Sequence, residues 1–128
     1  MLQLAEDFSS GEPIQLRRIA DEHGIPQRFL VQILLQLKGA GFVASTRGAA
    51  GGYQLIKPPH QISLGEVMTV IEGQDEISSN VSSRSATSRV LLDTWQDVAK
   101  VQHDALAGIT FGDLVKRVKR QTENMYYI

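Results

Sequence analysis

The feature that most constrains the fold is a glycine-rich segment, GAAGGY, at residues 48–53. It separates two short segments of strand-like composition, residues 42–47 and 53–57, and a proline pair ends the second one. Glycines between two such segments are typical of a β-hairpin, because they adopt the backbone angles that a tight turn requires. Arg47 comes directly before the glycines. The sequence therefore predicts a hairpin that carries a cationic residue at its tip.

Two amphipathic helices precede this hairpin. The first places Leu16, Ile19 and Ala20 on one face and ends at Gly24, which suits a left-handed cap. Pro26 then suits the first turn of the next helix. Two helices joined by a turn of about three to four residues that contains Gly are typical of a helix-turn-helix unit.

The second of these helices has two predicted faces. Its buried stripe consists of Phe29, Leu30, Ile33, Leu34 and Leu37. Its outward residues are Gln27, Arg28, Val31, Gln32 and Gln36. A solvated helix face would look the same, but the hairpin that follows favours a DNA-reading helix.

The outward residue types suit base recognition. Arg28 can pair with guanine in a bidentate manner, and Gln27 or Gln32 can pair with adenine or reach phosphate. Arg47 can enter a minor groove, while the glycines let backbone N–H groups approach phosphates. The predicted DNA-binding residues are Gln27, Arg28, Val31, Gln32, Arg47, Gly48, Gly51, Gly52 and Tyr53. The two helices and the hairpin together predict a mainly α fold with a small β-hairpin, organised as a winged helix-turn-helix domain over residues 1–73.

The remainder of the chain predicts a dimerisation region. Residues 62–67 (ISLGEV) and 109–114 (ITFGDL) both match a capping box, so each predicts a helix start, and the first helix should end near Gly73. The serine-rich residues 74–87 predict a flexible loop, and residues 88–128 a long helix followed by a C-terminal helix. An apolar seam along the long helix predicts a homodimer interface formed by Leu91, Trp95, Val98, Gln102 and Ala105.

Several classes of function are disfavoured by the composition. The chain has no cysteine, which removes disulfides and thiolate metal sites. His23, His60 and His103 lie far apart in sequence, so they predict no metal site, and no residue pattern predicts an enzyme or a bound cofactor. No leader or membrane-spanning run is evident, so we expect a cytoplasmic protein.

These segments resemble the Rrf2 family of bacterial winged-helix transcriptional regulators. The resemblance rests on residues 19–26 (IADEHGIP), 47–53 (RGAAGGY), 62–67 and 109–114, together with Trp95. It implies a homodimeric repressor on an inverted-repeat operator in double-stranded DNA, with the helix that carries Arg28 and Gln32 in the major groove and the wing in the minor groove. Base-reading positions of the family fall on Arg28, Val31 and Gln32, and its wing arginine on Arg47.

The chain departs from the family's sensor branches in two respects. Family positions for iron–sulfur ligands fall on Ser83, Arg89 and Leu92, so the resemblance implies a member without a cluster, controlled by a regulatory protein or a small-molecule effector. The basic N-terminal stretch of the family is also missing, which leaves either a truncated start or weaker DNA binding. The alternative hypothesis is a protein-interaction module whose winged helix no longer reads DNA.

Overall fold

Six helices and one two-stranded sheet form the part of the chain that the computed structural model describes, residues 1–73 and 85–126. The helices are α1 (Leu2–Glu6), α2 (Leu16–His23), α3 (Gln27–Gly39), α4 (Leu64–Glu72), α5 (Ala86–Ala107) and α6 (Phe111–Tyr126). The strands are β1 (Val43–Thr46) and β2 (Gly52–Leu55), and single turns of 3-10 helix lie at Phe8–Ser10 and Pro59–Gln61. This confirms the predicted mainly α fold with a small hairpin.

The predicted helix-turn-helix is present as α2 and α3. Gly24 ends α2 in the left-handed conformation at φ 63°, and the N–H of Ile25 donates to the carbonyl of Ala20 at 3.0 Å. Pro26 lies one position earlier than predicted, because it is the N-cap of α3 and the first helical residue is Gln27. The turn between the helices therefore contains three residues.

The predicted stripe of α3 is only partly correct. Leu30, Leu34 and Leu37 are buried and Ile33 is half-buried, whereas the side chain of Phe29 is 61% exposed. Consecutive helical residues are about 100° apart, so Phe29 lies on the shoulder of the face that Leu30 buries. The buried arc of this helix is narrower than the apolar pattern predicted.

The hairpin pairs β1 with β2 antiparallel, with Val43 opposite Leu55 and Thr46 opposite Gly52. Both strands are shorter than predicted. A third segment supports the free edge of β2: Ile14 and Tyr53 exchange two backbone hydrogen bonds, each 2.8 Å long. The hairpin is thus attached to the chain that leads into α2.

Both capping motifs are confirmed. At the start of α4, the N–H of Glu66 donates to Ser63 Oγ at 3.0 Å, and the N–H of Ser63 donates to the Glu66 carboxylate at 3.2 Å. At the start of α6, Thr110 and Asp113 make the same reciprocal pair, with both distances 3.1 Å. Each motif therefore satisfies N–H groups that would otherwise lack a partner.

The two motifs also bind to each other, which the sequence did not predict. The N–H of Leu64 donates to the carbonyl of Ile109 at 2.7 Å, and the N–H of Phe111 donates to the carbonyl of Ile62 at 3.0 Å. This isolated antiparallel bridge joins the winged-helix unit to the segment between α5 and α6. We call it the cap bridge.

Helix α5 has no buried residue. It begins earlier than predicted: Ser85 is its N-cap, and Ala86 and Thr87 are helical rather than part of the predicted loop. The remaining loop residues, 74–84, lie outside the described part of the chain.

Candidate nucleic-acid interface

The reading face of α3 is open and carries the predicted polar groups. Gln27, Arg28 and Gln32 are exposed, and Val31 is half-buried. The two ion pairs found among residues 1–73 and 85–126 both lie within α2, Arg17–Asp21 and Arg18–Glu22. The Arg28 guanidinium is therefore not engaged by a carboxylate of the described residues and presents its donors outward.

The shape of the wing requires glycine at three positions, one because of its backbone angles and two because a side chain would not fit. Gly48 has a φ of 107°, a conformation that favours glycine. A Cβ on Gly51 would lie 2.1 Å from the carbonyl oxygen of Thr46, and one on Gly52 would lie 2.2 Å from that of Ile14. The turn closes with the N–H of Gly51 donating to the carbonyl of Gly48 at 3.0 Å. This tight closure leaves Arg47 exposed at the tip.

Two side-chain hydrogen bonds tie the wing to the helix-turn-helix. Gln15 Nε2 donates to the carbonyl of Ala49 at 2.9 Å, and Lys38 Nζ donates to Ser45 Oγ at 2.7 Å. Lys38 and Arg47 line the same cleft of about 430 Å³ between α3 and the wing. Two cationic side chains that line one cleft favour the binding of a DNA phosphate there.

Sequence reasoning did not identify Gln15 or Lys38. Lys38 had a usable signal, since a basic residue in the last turn of a reading helix is close to the following hairpin. Gln15 had no such signal, because its partner is a backbone carbonyl far along the chain.

Three residues predicted to bind DNA have structural contacts in the wing. Gly51 is buried, and its N–H is already bonded within the turn. Gly52 packs against the backbone of Ile14, and Tyr53 is half-buried and paired with that same residue. Their contact with DNA stays a prediction, whereas the contacts described give them a role in shaping the wing.

The predicted dimer residues form an open apolar face on α5. Leu91, Trp95 and Val98 are exposed, with Trp95 at 58%, and Gln102 and Ala105 are exposed too. The exposed valines Val90 and Val101 widen this face. Leu92 and Leu106, at one border of this face, are half-buried. Apolar side chains on one helix therefore point both to the helix's own domain and away from it.

Two of the three histidines lie near each other although they are far apart in sequence. His60 and His103 line one cleft of about 580 Å³, together with Lys57 and Glu66. His23 lies elsewhere, with its Nε2 at 2.6 Å from Gln3 Oε1. Within the described ranges, no group of three or more histidines and carboxylates is placed to hold a metal ion. None of the described helices combines the length and apolar character that a membrane span requires.

An open reading helix beside an anchored, arginine-tipped hairpin defines the class of winged-helix DNA-binding proteins. Residues 1–117 match the family described as "Rrf2: Iron-dependent Transcriptional regulator". The chain belongs to the Rrf2 family, and the predicted family is thereby confirmed.

Individual relatives support the same assignment. The chain is 30% identical to the HTH-type transcriptional regulator CymR of Bacillus subtilis, with 100% of this chain and 91% of CymR covered. It is 43% identical to a putative rrf2-like regulator of Rhodobacter capsulatus over 57% of this chain, a match that spans only 50% of that relative. The solved structure of T. potens IscR is similar at 33% identity and a TM-score of 0.73, covering 91% of this chain and 78% of that one.

The family description names iron, but this chain lacks the donors of an iron–sulfur cluster. There is no cysteine in the sequence. Two of the ligand positions that the resemblance implies are Arg89, which is exposed, and Leu92, which is half-buried. A guanidinium and a hydrocarbon cannot ligate iron, so these residues do not fit a cluster. The third position, Ser83, lies outside the described residues.

Proposed function

We propose that this chain is a sequence-specific repressor that binds an inverted-repeat operator in the bacterial cytoplasm as a homodimer. The observation that carries the proposal is the geometry of α3 and the wing. The exposed Arg28 and Gln32 lie on the helix that enters the major groove in this class, and Arg47 lies at the tip of a wing held by two side-chain hydrogen bonds.

The homodimer is supported by α5. Five large apolar side chains are exposed along it: Val90, Leu91, Trp95, Val98 and Val101. Burying a side chain of this kind gains about 1.5–3 kcal/mol, so a second copy of the same helix would be stabilised by the contact. A two-fold dimer also presents two reading helices, which matches an operator with two half-sites.

The second part of the proposal is that DNA binding is regulated without an iron–sulfur cluster. Since the residues at the ligand positions do not fit iron–sulfur chemistry, we propose that a regulatory protein or a small-molecule effector controls DNA binding. Metal analysis of protein purified without air tests this part directly. Stoichiometric iron would overturn it.

The decisive experiment titrates the protein against duplex DNA from the promoter of its own operon. Arg28→Ala should lower the affinity about 5- to 150-fold, because a bidentate arginine–guanine pair discriminates by about 1–3 kcal/mol. Arg47→Ala should weaken binding and reduce the slope of log affinity against log salt by about one. Lys100→Ala removes a charge from α5 instead and should leave both quantities unchanged.

Two outcomes would contradict the proposal. Equal affinity of the wild type, Arg28→Ala and Arg47→Ala would show that this face does not read DNA. Binding that is absent, or independent of salt, would favour the alternative of a protein-interaction module. A promoter–reporter fusion then tests the sign of regulation, since loss of a repressor raises expression.

A further inference from the structure

Phe29 is the residue of α3 whose position is least explained by the fold. Its side chain is 61% exposed, although Leu30 beside it is only 5% exposed and belongs to the core. Ile25 and Ile33 are half-buried and pack against that core, whereas Phe29 is mostly exposed. Most of the surface of Phe29 is open to solvent, so its ring is available for an external contact.

Two exposed polar residues lie beside Phe29 on α3. Arg28 precedes it, and Gln32 lies one turn further along the same side of α3; both are exposed. This differs from α5, where the exposed aromatic Trp95 is surrounded by further apolar residues. One exposed ring beside two exposed hydrogen-bonding side chains, with the half-buried Ile33 one turn further on, offers little apolar area to a dimer interface. It suits a surface that offers mostly polar groups and an occasional apolar one.

The major groove is such a surface. Base edges there present donors and acceptors, and the C5-methyl group of thymine is the apolar feature among them. Reading helices contact base edges with their N-terminal residues, and Phe29 is the third residue of α3. We propose that Phe29 packs against the C5-methyl of a thymine next to the base pair that Arg28 or Gln32 reads. This inference rests on the proposed function, which it extends to the operator sequence.

The test uses the sequence that the wild-type protein selects from a random duplex library. Each thymine of that sequence is replaced in turn by deoxyuridine, which removes only the methyl group. At one thymine in each half-site the affinity of the wild type should fall about fourfold, the factor for one buried methyl-sized group. Phe29→Ala should bind the unmodified duplex several-fold more weakly and should no longer distinguish thymine from deoxyuridine there.

Two matched variants locate the contact. Leu35→Ala removes another exposed apolar side chain of α3, 52% exposed and nearly two turns further on, and should keep the sensitivity to deoxyuridine. Val31→Ala should keep it too. If the sensitivity survived in Phe29→Ala and disappeared in Val31→Ala, the methyl contact would belong to Val31 and the inference would be wrong.

The remaining outcomes separate this inference from the proposed function. If Arg28→Ala weakens specific binding but no thymine is sensitive to methyl removal, the function stands and the role of Phe29 is refuted. If Phe29→Ala weakens binding equally with thymine and with deoxyuridine, the ring contacts the sugar–phosphate backbone, which also refutes it. If the wild type selects no sequence, the function and the inference fail together.

Discussion

The winged-helix unit and α5 place their apolar residues in opposite ways. In the first unit, Leu30, Leu34 and Leu37 of α3 are all buried against the chain's own core. In α5, no residue is buried, and Leu91 and Trp95 are exposed. Both helices have apolar stripes at helical spacing, so periodicity alone does not distinguish them. The difference shows that an amphipathic pattern alone does not predict whether the chain's own core covers the apolar face.

The largest effect should come from the core of the winged-helix unit. Leu37 is 1% exposed, so Leu37→Ala removes buried contacts and leaves a cavity, which should lower the free energy of unfolding by about 2–5 kcal/mol. Urea denaturation of dilute protein measures it. Leu35→Ala on the same helix should change stability by less than about 0.5 kcal/mol. Similar losses for both variants would show that α3 is not buried on one side.

The next effect should come from a charged side chain introduced into the exposed apolar face of α5. It should change the stability of the fold less than Leu37→Ala does, but it should prevent dimer formation. Leu91→Asp places a carboxylate where the proposed dimer needs an apolar side chain, so sedimentation should show monomers. Gln96→Asp is the matched control: it introduces the same residue and the same change of charge about 140° around the helix. A monomeric control, or a dimeric Leu91→Asp, would contradict the proposed interface.

The smallest effect should come from the cap bridge, which joins the winged-helix unit to the segment between α5 and α6. The N–H and the hydroxyl of Thr110 hydrogen-bond with Asp113 and lower the pKa of its carboxyl, with smaller contributions from Lys116 and Arg117. The folded pKa is therefore below the unfolded value of about 3.9. The stabilising contribution is present above that unfolded value and is lost as the pH falls through the folded pKa.

Asp113→Asn should remove this acid-dependent contribution. The urea midpoints of the wild type and the variant should differ at pH 6 and converge as the pH falls below about 4. Asp93→Asn, on the exposed surface of α5, tests whether any lost carboxylate has the same effect. A constant difference between the wild type and Asp113→Asn at every pH would show that the capping carboxylate is not the cause.

Features fixed by short stretches of sequence were predictable. The left-handed end of α2 at Gly24, the wing glycines and both capping motifs follow from backbone conformation and from pairs three residues apart. The family assignment was predictable as well, because it depends on these same short segments. The predicted reading residues of α3 lie on its open side, yet their contact with DNA stays a prediction.

Features that depend on distant pairing were not predictable. The cap bridge joins residues 62–64 to 109–111, and Gln15 reaches across to Ala49, so neither has a local signature. Phe29 was misplaced for a different reason. It is apolar and next to a buried leucine, and only the packing of α3 against its neighbours decides how wide the buried arc is.

The cap bridge has a consequence for the geometry of the proposed dimer. Gly65 faces the backbone at Leu106 and Ala107, and Gly112 faces the backbone of His60, each so closely that an added Cβ would lie 3.1 Å from the nearest atom. Each cap motif thus packs through its glycine on the segment that precedes the other motif, against backbone atoms and the Cβ of His60. The angle between α5 and the winged-helix unit is therefore held by backbone contact. In a two-fold dimer built on α5, the distance between the two reading helices, and with it the operator half-site spacing, follows from that angle.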